Sequence, residues 1–575
     1  MASLSSILAA AFALAFLPVS HSAAAPQPSC RCLPGDTCWP KPQDWASLNK
    51  TVGGRLIATV PLAAPCHDPT YNGAECANIK NLWALPNLHI EDPTSIVNPW
   101  QQNASCDPFT PESSSCMLGN YPSFSIKVTS WQDAAAGILF AQKNNIRLVI
   151  KNTGHDYLGK STGKGSLNLW THNLKSTQVI KQYKSGYYQG AALKIGAGAL
   201  GADAQSTAHG AGLRILGGSC PSVGIAGGYS QAAGHSVLSS EYGLGADQVL
   251  EWEVVTANGD HIVATPQSNT DLYWALSGGG PGTFGVVISM TVRAFQDGAV
   301  GGATLSFTSN NITKDTYWKA IAAWQAQLPA LVDAGATAVY SMTPASFGIA
   351  PFTAPGKSEA EVDALLQPFT KQLKALNIKY SRNLSSEANF LDHYSKYFGP
   401  LPYGPYPTAQ LLGGRLVPRS VVQNNNNGLT AAMRDIVENS SFYIAITALS
   451  VGNSPHRPQP VASNAVLPAW RDAIMSVLVP SVWNFTEPRS EEVQTENQLT
   501  NSLIPKLKAV TPNSGTYMNE ADFHDASWKQ DFYGVNYDRL SSIKRKYDPS
   551  NLFYALTAIG SDAWNVADDG RMCRA

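Results

Sequence analysis

The cysteines are the feature that most constrains how this chain can fold. Eight of the nine lie near the ends: Cys30, Cys32, Cys38, Cys66, Cys76, Cys106, Cys116 and Cys573. This even set can form disulfides in an oxidising compartment, and the sequence does not choose among the possible pairings. Cys220 lies apart, in the glycine-rich stretch "GGSCPSVGIAGGYSQAAGH" (217–235). It is therefore a free thiol, an intermolecular bridge or a covalent attachment point.

The first 25 residues are typical of a secretory signal peptide. An apolar run from Ile7 to Leu17 precedes small residues at Ala23–Ala25, although a basic start is missing. We therefore expect residues 1–25 to be removed and the protein to be secreted; the alternative is a retained apolar N-terminus. Six sequons suit a glycosylated surface, at Asn49, Asn103, Asn311, Asn383, Asn439 and Asn484.

Composition and charge argue against two classes of partner. Hydrophobic residues make up 44% of the chain, enough for a packed core, and the formal net charge is −1. There is no basic excess for nucleic acid and no charge that would attract the chain to anionic membranes. We expect a monomer with no nucleic-acid partner, no membrane partner and no metal site.

Local patterns predict mixed α and β structure after a disulfide-rich start. "FSIKV" (124–128) and "IRLVIK" (146–151) alternate or run apolar like strands, and between them Ser130 is a candidate helix N-cap. This order favours a parallel βαβ unit. "LEWEVVTANGDHIVAT" (250–265) predicts a hairpin, with Asn258-Gly259 in a type I′ turn.

A second α+β domain is predicted after about residue 300, where the glycines become less frequent. Ser358 and Glu361 form a capping box at the start of an amphipathic helix. Pro368 lies within that helix, so we expect a kink or a break there.

Three glycine clusters are candidate binding loops. "IGAGALG" (195–201) matches a dinucleotide fingerprint but lacks the acidic residue about 20 positions on, so tight packing is the preferred interpretation. "KNTGHDYLGKSTGKGS" (151–166) places His155 after a buried strand, where it is either a ligand residue or a satisfied loop histidine. The stretch around Cys220 suits an anion-binding nest, and its alternative is a buried structural thiol.

Several of these stretches, in order, resemble a known family. They are "NTGHDYLG", "GGSCPSVGIAGGYSQAAGHS", "GLGADQVLEWEVVTANGD" and "DLYWALSGGGPGTFGVVISMTV". Together they resemble the FAD domain of the vanillyl-alcohol-oxidase superfamily, particularly that of secreted fungal berberine-bridge-enzyme-like oxidases. The closing "FYGVNYDRLSSIKRKYDPSNLF" resembles the C-terminal flavin-contacting segment of that branch. The resemblance runs from about Tyr121 to about Trp564, and residues 300–510 match only in general character.

The resemblance implies an α+β fold with two parts. One is a two-subdomain FAD-binding domain of the vanillyl-alcohol-oxidase type, and the other is an α+β substrate domain with a central antiparallel sheet. The implied boundaries are a signal peptide at 1–25, a disulfide-rich N-terminal segment at 26–118, the FAD-binding domain at 119–298, the substrate domain at 299–525 and the C-terminal FAD-contacting segment at 526–575.

In this branch FAD is attached twice, through a histidine to the 8α-methyl group and through a cysteine to C6. The matching residues are His155 and Cys220, which gives the leftover cysteine a role. The resemblance implies further FAD contacts at Gly154, Asp156, Gly218, Val223, Gly224, Gly228, Gly285, Val287 and Asn536.

The catalytic base is expected in "GTYMNEADFHD" (515–525). Related plant enzymes have a Y-x-N-Y segment there whose second tyrosine is the base, whereas this chain has Tyr517, Asn519 and Glu520. The change replaces a phenol with a pKa of about 10 by a carboxyl group with a pKa of about 4.3. Glu520 is a candidate base if burial raises its pKa, and its alternative is a surface or salt-bridged glutamate.

The family implies an oxidase that transfers a hydride from a sugar, an aliphatic or aromatic alcohol or a natural product to FAD, with O₂ as acceptor. A valine three residues after the cysteine, here Val223, leaves oxygen access open in this branch. Alternatives are an oxidative cyclase of secondary metabolism and a non-catalytic secreted binding protein on a flavoenzyme scaffold. Aromatic candidates for the substrate side are Trp318, Trp324, Tyr397, Tyr403 and Tyr406.

Overall fold

The computed structural model describes residues 30–102, 105–405, 409–454 and 457–575. The expected signal peptide, the sequon at Asn103 and the candidate Tyr406 lie outside the described residues. No helix in the described ranges is long and apolar enough to cross a bilayer.

The first part of the chain, up to Gln296, contributes three sheets. Its strands are β1 (Leu56–Ala58), β2 (Phe124–Lys127), β3 (Leu148–Lys151), β4 (Leu167–Trp170), β5 (Thr177–Lys184), β6 (Gln189–Gly196), β7 (Leu213–Arg214), β8 (Val249–Val255), β9 (His261–Ala264), β10 (Val286–Arg293) and β11 (Phe295–Gln296). Its helices are α1 (Pro42–Thr51), α2 (Gly73–Leu82), α3 (Pro86–Glu91), α4 (Pro99–Gln102), α5 (Trp131–Lys143), α6 (Gly201–His209), α7 (Ser239–Tyr242) and α8 (Thr270–Leu276). The strand orders are β1-β2-β4-β3, β5-β6-β10-β8-β9 and β11-β7.

The four-stranded sheet of the first part contains the predicted parallel βαβ unit. β2 and β3 both run parallel to β4, which lies between them, and α5 connects β2 to β3. The Ser130 hydroxyl accepts from the Asp133 amide at the start of α5, and the Asp133 carboxylate accepts from the Ser130 amide, so the helix has a capping box. β1 pairs antiparallel with β2, so the disulfide-rich N-terminal segment adds a strand to this sheet.

The predicted hairpin forms between β8 and β9, but its turn differs from the prediction. Gly259 has a φ of +82° and donates to the Thr256 carbonyl, while Asn258 is not in the left-handed region. The type I′ prediction was therefore wrong. The Thr256 amide donates to the Asp260 carbonyl, which makes the loop longer than the two residues of a type I′ turn, so one left-handed glycine closes it.

The glycines of "IGAGALG" serve close packing. A Cβ at Gly196 would lie 2.2 Å from the Leu174 carbonyl oxygen, and one at Gly198 would lie 2.1 Å from that of His172. Neither distance leaves room for a side chain, so the preferred interpretation of this cluster agrees with the structure.

The second part forms a seven-stranded antiparallel sheet with helices. Its strands are β12 (Val300–Thr308), β13 (Thr337–Met342), β14 (Ser346–Pro355), β15 (Ser381–Glu387), β16 (Gln410–Pro418), β17 (Ile444–Ala448) and β18 (Ala473–Val482), in the order β15-β12-β14-β13-β17-β18-β16. Its helices are α9 (Lys314–Gln325), α10 (Leu328–Asp333), α11 (Glu359–Ala375), α12 (Phe390–Phe398), α13 (Arg419–Asn424), α14 (Asn426–Glu438), α15 (Ala469–Asp472), α16 (Arg489–Gln498) and α17 (Ile504–Val510). The α+β prediction with a central antiparallel sheet is confirmed.

The helix α11 departs from the sequence prediction at one residue. It begins at the predicted capping box of Ser358 and Glu361 but runs without a break through Pro368. Of the two predicted outcomes, a kink or a break, the break is wrong, because Val362, Leu366 and other apolar residues of one face stay buried along the helix. Tertiary packing of that face outweighs the hydrogen bond that proline removes.

The chain ends with α18 (Tyr537–Tyr547), β19 (Trp564–Val566) and β20 (Met572–Arg574). Single turns of 3₁₀ or π-helix lie at Ala64–Cys66, Thr171–Asn173, Ile225–Tyr229, Gly245–Gln248, Leu499–Leu503, Lys529–Tyr533, Gly534–Asn536 and Ser561–Ala563. The eight terminal cysteines form the pairs Cys30–Cys573, Cys32–Cys38, Cys66–Cys76 and Cys106–Cys116.

A buried ion pair fastens α18 to the first part of the chain. The Lys544 ammonium donates to the Asp548 carboxylate and to the carbonyls of Thr283 and Phe553, each at 2.7 Å. Asp548 also accepts from the amides of Leu552 and Phe553. Because both charges are fully hydrogen-bonded, their burial is tolerated, and the C-terminal segment around α18 is held to the distant loop at Thr283.

Removing the lysine should leave Asp548 as a buried carboxylate without its cation. We expect Lys544→Met to lower the free energy of unfolding by about 3–5 kcal/mol. Lys546→Met, on the same helix, removes an exposed pair with Asp271 and a cation–π contact with Tyr547, and should cost less than about 1 kcal/mol. Denaturant unfolding of the two variants measures both effects, and equal losses would contradict the buried-pair argument.

Candidate active site

A cavity of about 460 Å³ is lined by residues of both parts of the chain. This volume falls in the range of ligand and cofactor sites. The lining comes from β3, from some of the residues within 152–161, 218–235, 281–287, 517–520 and 553–554, from Thr171 and Ala197, and from isolated positions in or next to the seven-stranded sheet. The cavity therefore gathers segments that lie up to about 400 residues apart in the sequence.

His155 lies in the loop that follows β3. The loop turns at Gly154, whose φ is +86° and where a Cβ would lie 3.0 Å from the Ser95 carbonyl oxygen. His155 Nε2 lies 2.9 Å from the Ser222 hydroxyl oxygen. Burial, with smaller contributions from His89 and Lys151, lowers the pKa of His155 to about 4. The imidazole is therefore neutral at neutral pH and keeps a nitrogen lone pair.

Cys220 reaches the same wall of the cavity from a different loop. Its Sγ lies 4.0 Å from His155 Nε2 and 3.4 Å from the Ser222 hydroxyl oxygen. Among the described cysteines it is the free one. Burial raises the pKa of the thiol, and hydrogen bonds from Ser222 offset part of the shift. The Tyr394 hydroxyl of α12 donates to the Gly218 carbonyl and fixes the loop from outside.

The cavity fits a flavin dinucleotide. Gly228 faces open space, since a Cβ there would meet only Pro281 at 3.9 Å, so a planar ligand can approach the backbone. Asn152 Oδ1 and Gln231 Oε1 belong to lining residues and are buried without a hydrogen-bond partner. Such acceptors suit a ligand that carries N–H or O–H donors.

Tyr517, Asn519 and Glu520 face the same cavity from the other side. The Asn519 amide nitrogen lies 3.0 Å from the Gly228 carbonyl oxygen and 3.0 Å from the Tyr517 hydroxyl oxygen. Burial first, and the nearby Glu520 carboxylate second, raise the pKa of Tyr517 far above its usual value. The tyrosine is therefore a protonated hydrogen-bond donor, and Glu520 contributes the carboxyl group on this side of the cavity.

His235 is a site residue that the sequence reasoning missed. Its Nε2 lies 3.2 Å and 3.3 Å from the two carboxylate oxygens of Glu520, and its ring meets Tyr517 edge-on at 5.3 Å. Glu520 is 23% exposed, so it is neither a free surface residue nor fully buried. The sequence feature that could have pointed to it is its place at the end of the glycine-rich stretch that contains Cys220.

The structure brings together most of the predicted site residues. All of them line the cavity except Asn536, whose amide donates to the carbonyls of Ala465 and Val466. Asn536 thus ties the C-terminal segment to a loop near the cavity and does not face the cavity itself.

Four of the five aromatic residues expected on the substrate side do not line the cavity, and the fifth, Tyr406, lies outside the described residues. Trp318 and Trp324 are buried in the core of the second part, and the Tyr397 hydroxyl pairs with Ser385. Tyr403 lies near Glu91 and does not line the cavity either. The side chains that line it there are Val339, Gln410, Tyr443 and Leu478. The prediction failed because the 3.6-residue period of α9 puts both tryptophans on its core-facing side.

Comparison with known proteins identifies the family. Residues 122–265 match the FAD binding domain family, and residues 516–560 match the berberine and berberine-like family. The VAO-type flavoprotein oxidase VAO615 of Thermothelomyces thermophilus is 46% identical over 95% of this chain and 96% of that protein. The chain is an FAD-linked oxidoreductase of the vanillyl-alcohol-oxidase and berberine-bridge-enzyme-like family. The family prediction is confirmed, and the non-catalytic alternative is set aside.

A further relative and two solved structures extend the comparison. The bifunctional decalin synthase calF of Penicillium decumbens is 46% identical over 95% of this chain and 96% of that protein. The crystal structure of the VAO-type flavoprotein MtVAO615 from Myceliophthora thermophila C1 superposes with a TM-score of 0.92 at 46% identity, covering 95% of this chain and 100% of that one. Glucooligosaccharide oxidase from Acremonium strictum, with 6-S-cysteinyl, 8α-N1-histidyl FAD, shares the fold at a TM-score of 0.63 and 19% identity, over 76% of this chain and 92% of that one.

Proposed function

We propose that this oxidoreductase is a secreted oxidase that carries FAD bonded to both His155 and Cys220, oxidises an alcohol-type substrate and uses O₂ as acceptor. The observation that carries the proposal is the meeting of His155 and Cys220, 4.0 Å apart, on the wall of the cavity that Glu520 also lines. Bound FAD supplies the two-electron acceptor for the substrate hydride.

Both tethering residues have the chemistry that attachment requires. The neutral His155 has a lone pair to bond carbon, and Cys220 is a thiol that no disulfide consumes. The disulfide pairing supports the role of Cys220 as a flavin attachment point, because the other eight cysteines are paired with one another.

Glu520 is the proposed base. It takes the hydroxyl proton of the substrate while the hydride leaves the adjacent carbon, so that an alcohol loses two electrons and two hydrogens in all. His235 holds both carboxylate oxygens and thereby fixes the direction of the carboxylate. Tyr517, held by Asn519, presents its O–H as a donor that orients the substrate oxygen.

The cavity side of the seven-stranded sheet favours a mostly apolar substrate. Val339 and Leu478 offer methyl groups, while Gln410 and Tyr443 supply few polar atoms. A sugar would need many more hydrogen-bond partners than this wall provides. We therefore favour an aliphatic, aromatic or natural-product alcohol over a carbohydrate. The name of the relative calF favours oxidative cyclisation as the second candidate function.

Oxygen use and secretion complete the proposal. Val223, three residues after Cys220, lines the cavity, and we propose that its small side chain leaves space for O₂ beside the flavin. The disulfides and the exposed sequons at Asn311, Asn383, Asn439 and Asn484 suit a secreted glycoprotein. We propose that the enzyme acts as a monomer on a small molecule.

The tethers are testable on the purified protein. We expect its flavin to remain attached after acid precipitation, and Cys220→Ala to keep a flavin bonded through His155 alone, with an altered absorption spectrum. Flavin fluorescence of the protein band on a denaturing gel measures whether the flavin stays attached. Peptide masses show which residue carries it. Release of the flavin from the unmodified protein by acid would refute the double attachment.

The base is testable by stopped-flow reduction without oxygen. Glu520→Gln keeps the size of the side chain but cannot accept the proton, so flavin reduction should slow by about 10²-fold or more. Glu492→Gln, in α16 and away from the cavity, is a matched control that should reduce at the unmodified rate. If Glu520→Gln reduces the flavin at the unmodified rate, Glu520 is not the base.

Oxygen access is testable by reoxidation. Val223→Leu adds a methylene group that fills space beside the flavin and hinders the approach of O₂. Reoxidation should therefore slow by about tenfold or more, which corresponds to about 1.4 kcal/mol of added barrier. Flavin reduction by substrate should change much less. Slow reoxidation of the unmodified enzyme by O₂, together with fast turnover with a quinone or a dye, would show a dehydrogenase instead of an oxidase.

A further inference from the structure

Ser222 contacts both residues proposed to bond the flavin. Its hydroxyl oxygen lies 2.9 Å from His155 Nε2 and 3.4 Å from Cys220 Sγ. The side chain is fully buried, and it lies behind the two residues without lining the cavity itself. A single hydroxyl group therefore links the imidazole to the thiol.

The contact with Ser222 determines which imidazole nitrogen is available. Nε2 is occupied by the hydroxyl, which leaves Nδ1 to bond carbon. For Nδ1 to have a lone pair, Nε2 must carry the proton and donate to Ser222, since neutral imidazole has one N–H group. Once Nδ1 has bonded carbon, Nε2 must release that proton for the ring to become neutral again. Nε2 then changes from a donor to an acceptor.

This change gives Ser222 a second hydrogen-bonding arrangement. Its O–H now points to Nε2, and its oxygen is free to accept from the Cys220 thiol. Burial lowers the pKa of His155 and raises that of Cys220, so an imidazolium–thiolate pair is not the resting state. The titratable groups that act on this pair from neighbouring elements are His89, Lys151 and Tyr157. The thiol proton thus needs a path at the moment the sulfur reacts.

We propose that Ser222 relays the thiol proton of Cys220 to Nε2 of His155 and so makes cysteinyl attachment follow histidyl attachment. The inference rests on the proposed doubly bonded flavin. The S–H bond breaks, its proton moves to Ser222 Oγ while the Oγ proton moves to Nε2, and the sulfur electron pair forms the bond to the ring carbon. Dioxygen takes up the two electrons and two protons of each attachment as H₂O₂, so a thiol and a ring C–H become one C–S bond.

The test follows attachment itself and needs no substrate. Full-length protein is isolated with flavin under anaerobic conditions, air is admitted, and the flavin-bearing peptides of His155 and Cys220 are quantified over time by mass spectrometry. We expect Ser222→Ala to slow cysteinyl attachment by about tenfold or more, since proton transfer by a positioned group contributes about 10²–10⁴-fold. Ser222→Thr, which keeps the hydroxyl, should restore the rate. Ser236→Ala, which removes another buried serine hydroxyl and does not line the cavity, is the control and should match the unmodified protein.

Two further measurements separate a proton relay from a packing role. Raising the pH should rescue cysteinyl attachment in Ser222→Ala, because hydroxide can remove the thiol proton, whereas a packing defect would not respond. His155→Ala should also slow cysteinyl attachment, since the final acceptor is lost, while Cys220→Ala should leave histidyl attachment at its normal rate. Full-rate double attachment in Ser222→Ala, or full-rate cysteinyl attachment in His155→Ala, would overturn the proposal. Release of the flavin from the unmodified protein by acid would also overturn the relay proposal. The proposed oxidase function would still be decided separately, by measuring whether the enzyme releases H₂O₂ when it is given substrate.

Discussion

The site depends on how closely two loops approach each other, and one asparagine sets that distance. Asn152 starts the His155 loop, and its amide group donates to the Ala197 carbonyl and to the Thr171 hydroxyl. A Cβ at Gly224 would lie 2.1 Å from Asn152 Oδ1, and one at Gly227 would lie 3.0 Å from its Cγ. Any side chain at these positions would push the Cys220 loop away and separate the thiol from the imidazole. The glycines are therefore needed for close approach between two loops.

The catalytic side of the cavity is positioned by the edge of a sheet. β16 is an edge strand, and the segment before Tyr517 lies along its free side: the Leu416 amide donates to the Gly515 carbonyl, and the Thr516 hydroxyl donates to the Gly414 carbonyl. The buried Arg415–Asp531 pair holds the chain after Glu520 against the same strand. An edge that would otherwise be open is covered, and the covering segment carries the proposed base.

Local chemistry made part of the structure predictable. Capping boxes at Ser130 and Ser358 depend on a few adjacent residues, and both helices begin there. Because eight of the nine cysteines form an even set near the ends of the chain, Cys220 was correctly predicted to stay outside the disulfides. What was left open or predicted wrongly depended on distant residues. The pairing left open joins Cys30 and Cys573 across 543 residues, and the helix does not break at Pro368 because its apolar face is buried. His235 was missed because its partner, Glu520, lies 285 residues away in the chain.

The residues of the seven-stranded sheet that line the cavity lie on one face of the sheet. The residues that form the core of the second part lie on the other face, so substrate contacts and core packing involve different side chains. Leu478 of β18 is partly accessible and lines the cavity, whereas its neighbours Val477 and Val479 are buried in the core on the other face. Val339 of β13 alternates in the same way with Ala338 and Tyr340. Because successive side chains of a strand point to opposite faces, Leu478 can change size or polarity while its core-facing neighbours stay in place. Val339 has less freedom, since it also packs against a smaller apolar cluster that includes Leu216 and Phe390. The flavin side has no such freedom, since its loops are packed through glycines and buried hydrogen bonds. Differences in substrate between enzymes of this fold should therefore arise on the sheet face, with the flavin side kept constant.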